Sequence, residues 1–334
     1  MSETLGYADL SPSTILDAVE AAGFEVDGRI TALNSYENRV YQLGQESGGL
    51  VVAKFYRPGR WSDDTIQEEH DFALEMAEEE LPVVAPHRLE NGRTLLHHAG
   101  HRLALFPSIG GRPPALDQPE DLRQMGRLLA RMHNIGAQKP FAHRLTLHPG
   151  TLAESAIEAV NRRGLVPDSL EEGWQNLSLV VAQRIHQRLN EAGNYRTLRI
   201  HGDSHPGNIL WREDGPWVLD LDDSVNGPAI QDLWMYLSGD RAYQSARLNE
   251  LLEGYSAFRA FDPRELYLVE ALRAMRMLYF LGWIAGRWDD PAFPRAFPDF
   301  AEARFWERQI LGLKEQLSTL DEPPLDWEPN PFFA

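Results

Sequence analysis

The stretch His201-Gly202-Asp203-Ser204-His205-Pro206-Gly207-Asn208 is followed closely by Trp217-Val218-Leu219-Asp220-Leu221-Asp222-Asp223, and together they crowd carboxylates, an amide and two imidazoles into turns between apolar runs. Packing alone gives no reason for such a composition. A positioned aspartate can orient or accept a hydroxyl proton. Carboxylate and amide oxygens are hard ligands, suited to a cation that carries phosphates.

The spacing Asp-x-x-x-x-Asn from Asp203 to Asn208 matches the catalytic loop of phosphoryl-transfer enzymes, where the aspartate orients a hydroxyl and the asparagine ligates magnesium. Ile209-Leu210-Trp211 and Trp217-Val218-Leu219, joined through Glu213-Asp214-Gly215-Pro216, form an expected hairpin. That hairpin returns Asp220 to the level of Asn208, so both oxygens face one cavity. Taken one at a time, Asx residues beside Pro and Gly are ordinary turn formers; it is their order and strand context that point to a site. The sharper rival is a metal hydrolase, because His201-x-Asp203-x-His205 could chelate a transition metal. Apart from His70-Asp71 on an expected helix, no second His and carboxylate cluster of comparable spacing accompanies it.

Elements upstream must supply the rest. A helix from Ser11-Pro12-Ser13 to about Ala22 precedes Ile30–Leu33, Arg39–Leu43 and Leu50–Tyr56, three strands of an antiparallel meander. Lys54, a lone cation in Val51-Val52-Ala53-Lys54-Phe55, resembles the strand lysine that holds nucleotide α- and β-phosphates. A strand lysine otherwise points to solvent. On the helix from about Ser62 to Glu80, Ile66, Glu69, Ala73 and Met76 share one face, which makes Glu69 the chosen partner of Lys54 and Glu68 the fallback. Pro82–Pro86 is extended, and Thr94–His97 with Arg102–Phe106 completes a sheet of about five strands. Pro107 to Pro114 is the clearest composition break and reads as a linker. In a kinase-like protein it would hold adenine through backbone groups near Phe106 and Ser108.

Beyond it the pattern is helical, with His133 on an apolar helix face as a packing or capping residue. Asp232-Leu233-Trp234 is expected to start a helix, with Asp232 either its N-cap or a brace for the Asp203 loop. The tail from Asp321 is expected to pack poorly. The expected domains are therefore an N-terminal lobe over 1–107, a linker over 108–114 and a mainly helical lobe over 115–334.

Composition bounds the rest. The 334 residues suffice for two lobes. Lys+Arg 32 against Asp+Glu 50, a net charge of −18, argues against nucleic acid and anionic membranes as partners. The absence of cysteine excludes thiolate metal sites and cysteine nucleophiles and fits a reducing compartment. Met1 to Leu10 carries no signal pattern, and Ala271–Trp288 is broken by Arg273, Arg276 and Arg287, so it reads as a buried amphipathic helix. A cytosolic monomer is expected.

The order Asn34-Ser35-Tyr36-Glu37-Asn38-Arg39, Lys54-Phe55-Tyr56-Arg57-Pro58, the His201–Asn208 loop, Asp220-Leu221-Asp222-Asp223, Asp232-Leu233-Trp234 and Asp290-Pro291-Ala292-Phe293-Pro294 closely resembles the bacterial stress response kinase A family, also called YihE or RdoA. It lies within the aminoglycoside phosphotransferase and choline kinase superfamily. The resemblance spans nearly the whole chain. It implies an α+β, two-lobed, protein-kinase-like fold with a small antiparallel-sheet N-lobe and a large helical C-lobe. It also implies an ATP- and Mg2+-dependent serine/threonine protein kinase that phosphorylates itself and acts in envelope-stress and cell-death responses. Carried across, Asp203 is the catalytic base, Asn208 and Asp220 ligate magnesium, Asp222 is the candidate for a second metal, and Ser35 lies in the loop over the phosphates.

The sequence departs from eukaryotic protein kinases in three ways. Gly202 stands where His-Arg-Asp has its arginine, the chain between Asp223 and Asp232 is too short for an activation loop, and Asn-Ser-Tyr-Glu-Asn-Arg replaces the glycine-rich loop. Two other functions compete: a kinase of amino alcohols or aminoglycosides, which an acidic surface would suit, and a nucleotide-binding module without catalysis.

Overall fold

The computed structural model describes residues 9–329 together with Tyr7. They form two compact units. The first comprises the chain up to Ala115 with Phe141–Arg144 and His205–Ser224; the second comprises Leu116–Pro140, Leu145–Ser204 and the remainder from Val225.

The first unit is built on an antiparallel five-stranded sheet of order β1-β2-β3-β5-β4: β1 Val26–Leu33, β2 Arg39–Gln45, β3 Leu50–Phe55, β4 Leu96–His98 and β5 His101–Pro107. Strand side chains alternate between faces. Val51, Ala53 and Phe55 pack with Ile15, Ala18 and Val19 of helix α1 (Pro12–Ala21) in one core. Lys54 therefore belongs to the opposite face, where Tyr56, Ala104 and Ile66 of helix α2 (Asp63–Glu78) form a second cluster. Ser62 caps α2 by accepting from Thr65 N at 3.1 Å, and Asp63 and Asp64 complement the helix dipole. Buried Ile66, Glu69, Ala73 and Met76 line the inner face of α2, following the expected periodicity.

Downstream residues complete this unit. The expected hairpin forms as β7 (Ile209–Arg212) and β8 (Gly215–Val218). It docks on the extended segment after α2, with Val218 N donating to Pro82 O and Val84 N to Val218 O. The linker is tied to it too, through reciprocal Arg112 and Trp211 backbone bonds. Gly111 permits that approach, since a Cβ there would sit 2.9 Å from Leu210 Cβ.

The second unit is helical: α3 Pro119–Gly136, α4 Pro149–Arg163, α5 Asp168–Ala192, α6 Arg241–Ser256, α7 Val269–Gly286, α8 Ala292–Ala296 and α9 Ala303–Leu320, with one short antiparallel pair, β6 (Leu198–Ile200) and β9 (Val225–Gly227). Helices α3 and α6 cross at two glycines: a Cβ on Gly126 would lie 2.0 Å from Leu251 O, and one on Gly254 2.1 Å from Arg123 O. Trp174 and Trp306 meet edge to face at 5.2 Å between α5 and α9. Two expectations are corrected here. Asp232 closes a 3-10 turn (Ala229–Asp232) instead of opening a helix, because its carboxylate is drawn to the loop after β6. The tail over 321–329 is packed: Leu325 is buried, Trp327 stacks edge to face on Phe261, and Arg241 binds the carbonyls of Pro323 and Pro324. Residues 330–334 lie outside the described ones.

Candidate active site

In the first unit the charged residues are held by short-range geometry. The Lys54 ammonium lies 3.0 Å from Glu69 Oε1, 2.9 Å from Asp220 Oδ1 and 3.6 Å from Asp222 Oδ1. Lys54 and Glu69 are buried, whereas the Asp220 side chain is half exposed. Burial disfavours the Lys54 cation, but Asp220, Asp222 and Glu69 outweigh it and hold the amine protonated well above the ordinary lysine range. Glu68, on the next position of the same helix turn, does something else. Its carboxylate accepts the backbone N–H groups of Ala142, His143 and Arg144 at 2.7, 2.9 and 2.9 Å.

Asn208 and Asp220 come to the same end of the β7–β8 hairpin. Leu219 N donates to Asn208 O at 2.9 Å, one step beyond the Ile209–Val218 pair. Asp220 itself has φ +51°, a left-handed conformation uncommon for a non-glycine residue and frequent at functional turns. Asp222 is buried; its Oδ2 accepts from Asn38 Nδ2 at 3.1 Å and from Arg60, while its Oδ1 accepts no hydrogen bond. Burial opposes the charge on Asp222, yet Lys54, Arg60 and Arg144 override it and hold the carboxyl well below the usual range. Two hard oxygens, the half-exposed Asp220 carboxylate and the Asp222 Oδ1, thus fit a divalent cation by donor chemistry. Ser35 is half buried in the β1–β2 connection. Phe106 pairs with Val52 on β5, and Ser108 Oγ lies 2.9 Å from Gln42 Nε2.

In the second unit the loop after β6 carries Asp203. Gly202, with φ +82°, makes the turn into it. Asp232 Oδ2 accepts from His201 N at 2.7 Å and its Oδ1 from Gly202 N at 2.8 Å. His133 Nε2 lies 3.0 Å from Asp232 Oδ2 and its Nδ1 2.9 Å from Tyr255 OH. His133 is thus a buried brace for Asp232, and Asp232 is the brace of the loop. Asp203 Oδ1 accepts from Arg276 Nη1 of α7 at 2.5 Å. The imidazoles of the hydrolase alternative are engaged locally: His201 Nδ1 accepts from Asp203 N, and His205 Nδ1 from Gly207 N. Among the described residues, no group of three or more His, Asp or Glu gathers to hold a metal.

Four residues of these clusters escaped the sequence reading. Arg60 and Asn38 sit in turns where polar residues are ordinary, and only their partner Asp222 reveals them. Arg144 is buried and donates to Thr65 O, Asp222 O and Ser224 O; a lone arginine between helices gives no local signal. Arg276 did leave one, as a charge interrupting the most apolar helix.

The model of the phosphotransferase enzyme family (APH) matches residues 29–269. Stress response kinase A of Escherichia coli O157:H7 is 45% identical over 325 residues, 97% of this chain and 97% of its own. The serine/threonine protein kinase RdoA of Salmonella typhimurium strain LT2 is 44% identical over 323 residues, again 97% of each. Among solved structures, the amicoumacin kinase hAmiN in complex with AMP-PNP, Ca2+ and Ami has a TM-score of 0.71 at 17% identity over 92% of this chain and 93% of that one, a likeness of fold. No helix among the described residues is long and apolar enough to cross a membrane.

Proposed function

This chain belongs to the phosphotransferase enzyme family and is an ATP-dependent phosphotransferase, and from that premise we propose that it phosphorylates serine and threonine hydroxyls of proteins, its own included, in a bacterial stress response. The observation that carries the reading is the Lys54 ammonium held between buried Glu69 and half-exposed Asp220. A cation so placed has no packing purpose that a leucine would not serve better. It suits the phosphates of a nucleotide, with Ser35 and backbone donors of the β1–β2 turn above them and backbone groups near Phe106 and Ser108 at the base. Asn208 and Asp220 would hold Mg2+, and Asp222 would meet a second ion through its Oδ1. Bound magnesium would neutralise charge on the phosphate oxygens.

In the reaction the acceptor oxygen forms a bond to the γ-phosphorus while the bond to the bridging oxygen breaks, and ADP leaves with that electron pair. Asp203 orients the hydroxyl and takes its proton. Lys54 stabilises negative charge on the nucleotide, so positioning and electrostatics supply most of the rate. Preference for a protein acceptor is supported by a near full-length relative named as a serine/threonine protein kinase. The test is mass-spectrometric phosphosite mapping after incubation with ATP and Mg2+, native protein against Asp203→Asn. Phosphoserine or phosphothreonine in the chain or in a generic protein substrate, lost in the variant, is expected. Phosphate appearing only on an added amino alcohol or aminoglycoside would replace this reading by a small-molecule kinase, and undiminished transfer by Asp203→Asn would remove Asp203 as base.

A further inference from the structure

Helix α7 carries two arginines three residues apart, and their partners differ. Arg273 lies 3.1 Å from Glu270 and 2.9 Å from Gln244, over the Trp234 ring at 5.1 Å, an arrangement of structural ion pairing. Arg276 lies on Asp203 itself, at 2.5 Å, with 41% of its side chain exposed and 24% of the aspartate's. The loop has no cation of its own next to the base, because Gly202 must take φ +82° there, where an arginine would be strained.

We propose that Arg276 is a positioning residue for Asp203, delivering from α7 the cation that the loop cannot carry at Gly202. The proposal rests on Asp203 being the base. Asp232 fixes the backbone of the loop at His201 and Gly202, but a fixed backbone leaves the Asp203 rotamer undetermined. A guanidinium on Oδ1 selects one rotamer. It uses only part of the capacity of a carboxylate that accepts at about four positions. His201 faces the Asp203 backbone N–H, Ser204 and Tyr236 bond each other at 2.8 Å, and Asp232 is a second negative charge, so none of these supplies it. Arg276 is a cation that opposes that charge, set directly on the Asp203 carboxylate.

Arg276→Met, Arg276→Lys, Arg273→Met and the Asp203→Asn/Arg276→Met double variant test this with the full chain, ATP and a generic protein substrate. Arg276→Met should lower kcat about tenfold or more with KM for ATP within about twofold, the pattern of a lost reaction-step interaction. Its acid limb of kcat/KM should move up by about one pH unit, as expected when an opposite charge leaves a carboxylate. Arg276→Lys should recover part of both effects, and Arg273→Met should leave the profile in place. Added to Asp203→Asn, Arg276→Met should cost almost nothing further, because the two act as one. An Arg276→Met enzyme with native kcat and profile overturns the proposal, and so does a loss that is equal at all pH values and still present in the Asp203→Asn background. If Asp203→Asn is itself active, the reading of the base fails instead, whatever Arg276 does. Should Arg276→Met not fold, Arg276→Gln and Arg276→Lys carry the same comparison.

Discussion

The Lys54 cluster and the Asp203 loop both depend on paired charges, yet they are built on opposite plans. Around Lys54 the charges other than Asp220 are buried and have several partners: Glu69 meets Lys54 and Arg144, and Asp222 meets Lys54, Arg60 and Asn38. Asp203 is half buried and shares an ion pair with the more exposed Arg276, while the bracing falls on its backbone through Asp232. A charge that must stay constant through a reaction tolerates burial and redundancy. On the proposed reading Asp203 gains and loses a proton and needs access, so its rigidity comes from the chain beneath it.

That contrast can be broken by mutation. Asp203→Asn should reduce kcat by about 10^2 to 10^4, the range for a lost general base, while urea denaturation shifts by no more than about 1 kcal/mol, as for a partly exposed pair. Lys54→Met should do the reverse for stability, costing about 3–5 kcal/mol by leaving buried Glu69 and Asp222 without their central cation, read from the same urea curves. A Lys54→Met protein as stable as the native one would show that the cluster is not what holds the first unit. The neighbouring glutamates sharpen this. Glu68→Ala should cost about 1–2 kcal/mol and raise hydrogen exchange at Ala142, His143 and Arg144, whereas Glu69→Ala should spare those amides and instead raise KM for ATP.

To changes of pH the two units should respond with opposite sign. In the first, burial with help from Lys54 and Arg144 pushes His70 down to about 3. The unfolded chain then binds the extra proton, so this contribution is whole above about 6.5 and is lost as pH falls toward 3. In the second, burial pushes Glu265 up to about 7, although it accepts from Ile230 N at 2.8 Å. Here the native state binds the extra proton; the contribution is whole below the ordinary glutamate value of 4.5 and is lost as pH rises through 7. Thermal melts of His70→Gln should flatten the acid side of the stability profile, and those of Glu265→Gln the side between pH 4.5 and 7. Melts in which both variants move the same side would contradict the two signs.

Much of this protein was legible in local pattern. A short apolar run between polar turns put Lys54 on a strand, period 3.6 put Glu69 on the inner face of α2, and the turn residues of 213–216 returned Asp220 toward Asn208, all of them short-range consequences of backbone geometry. Asp203, Asn208 and Asp220 stood out because charged and amide side chains between apolar runs have no packing use. What only the tertiary structure decided is which charge answers which. Glu68 and Glu69 are equivalent in type and adjacent in sequence, but their side chains leave the helix about 100° apart, and only the positions of Lys54 and of residues 142–144 separate their roles. Arg60, Arg144 and Arg276 reach their carboxylates across 162, 75 and 73 residues of chain. No local periodicity encodes a pairing over such distances; it is fixed by how the elements pack, since a buried charge is stable only where the fold brings its counter-charge.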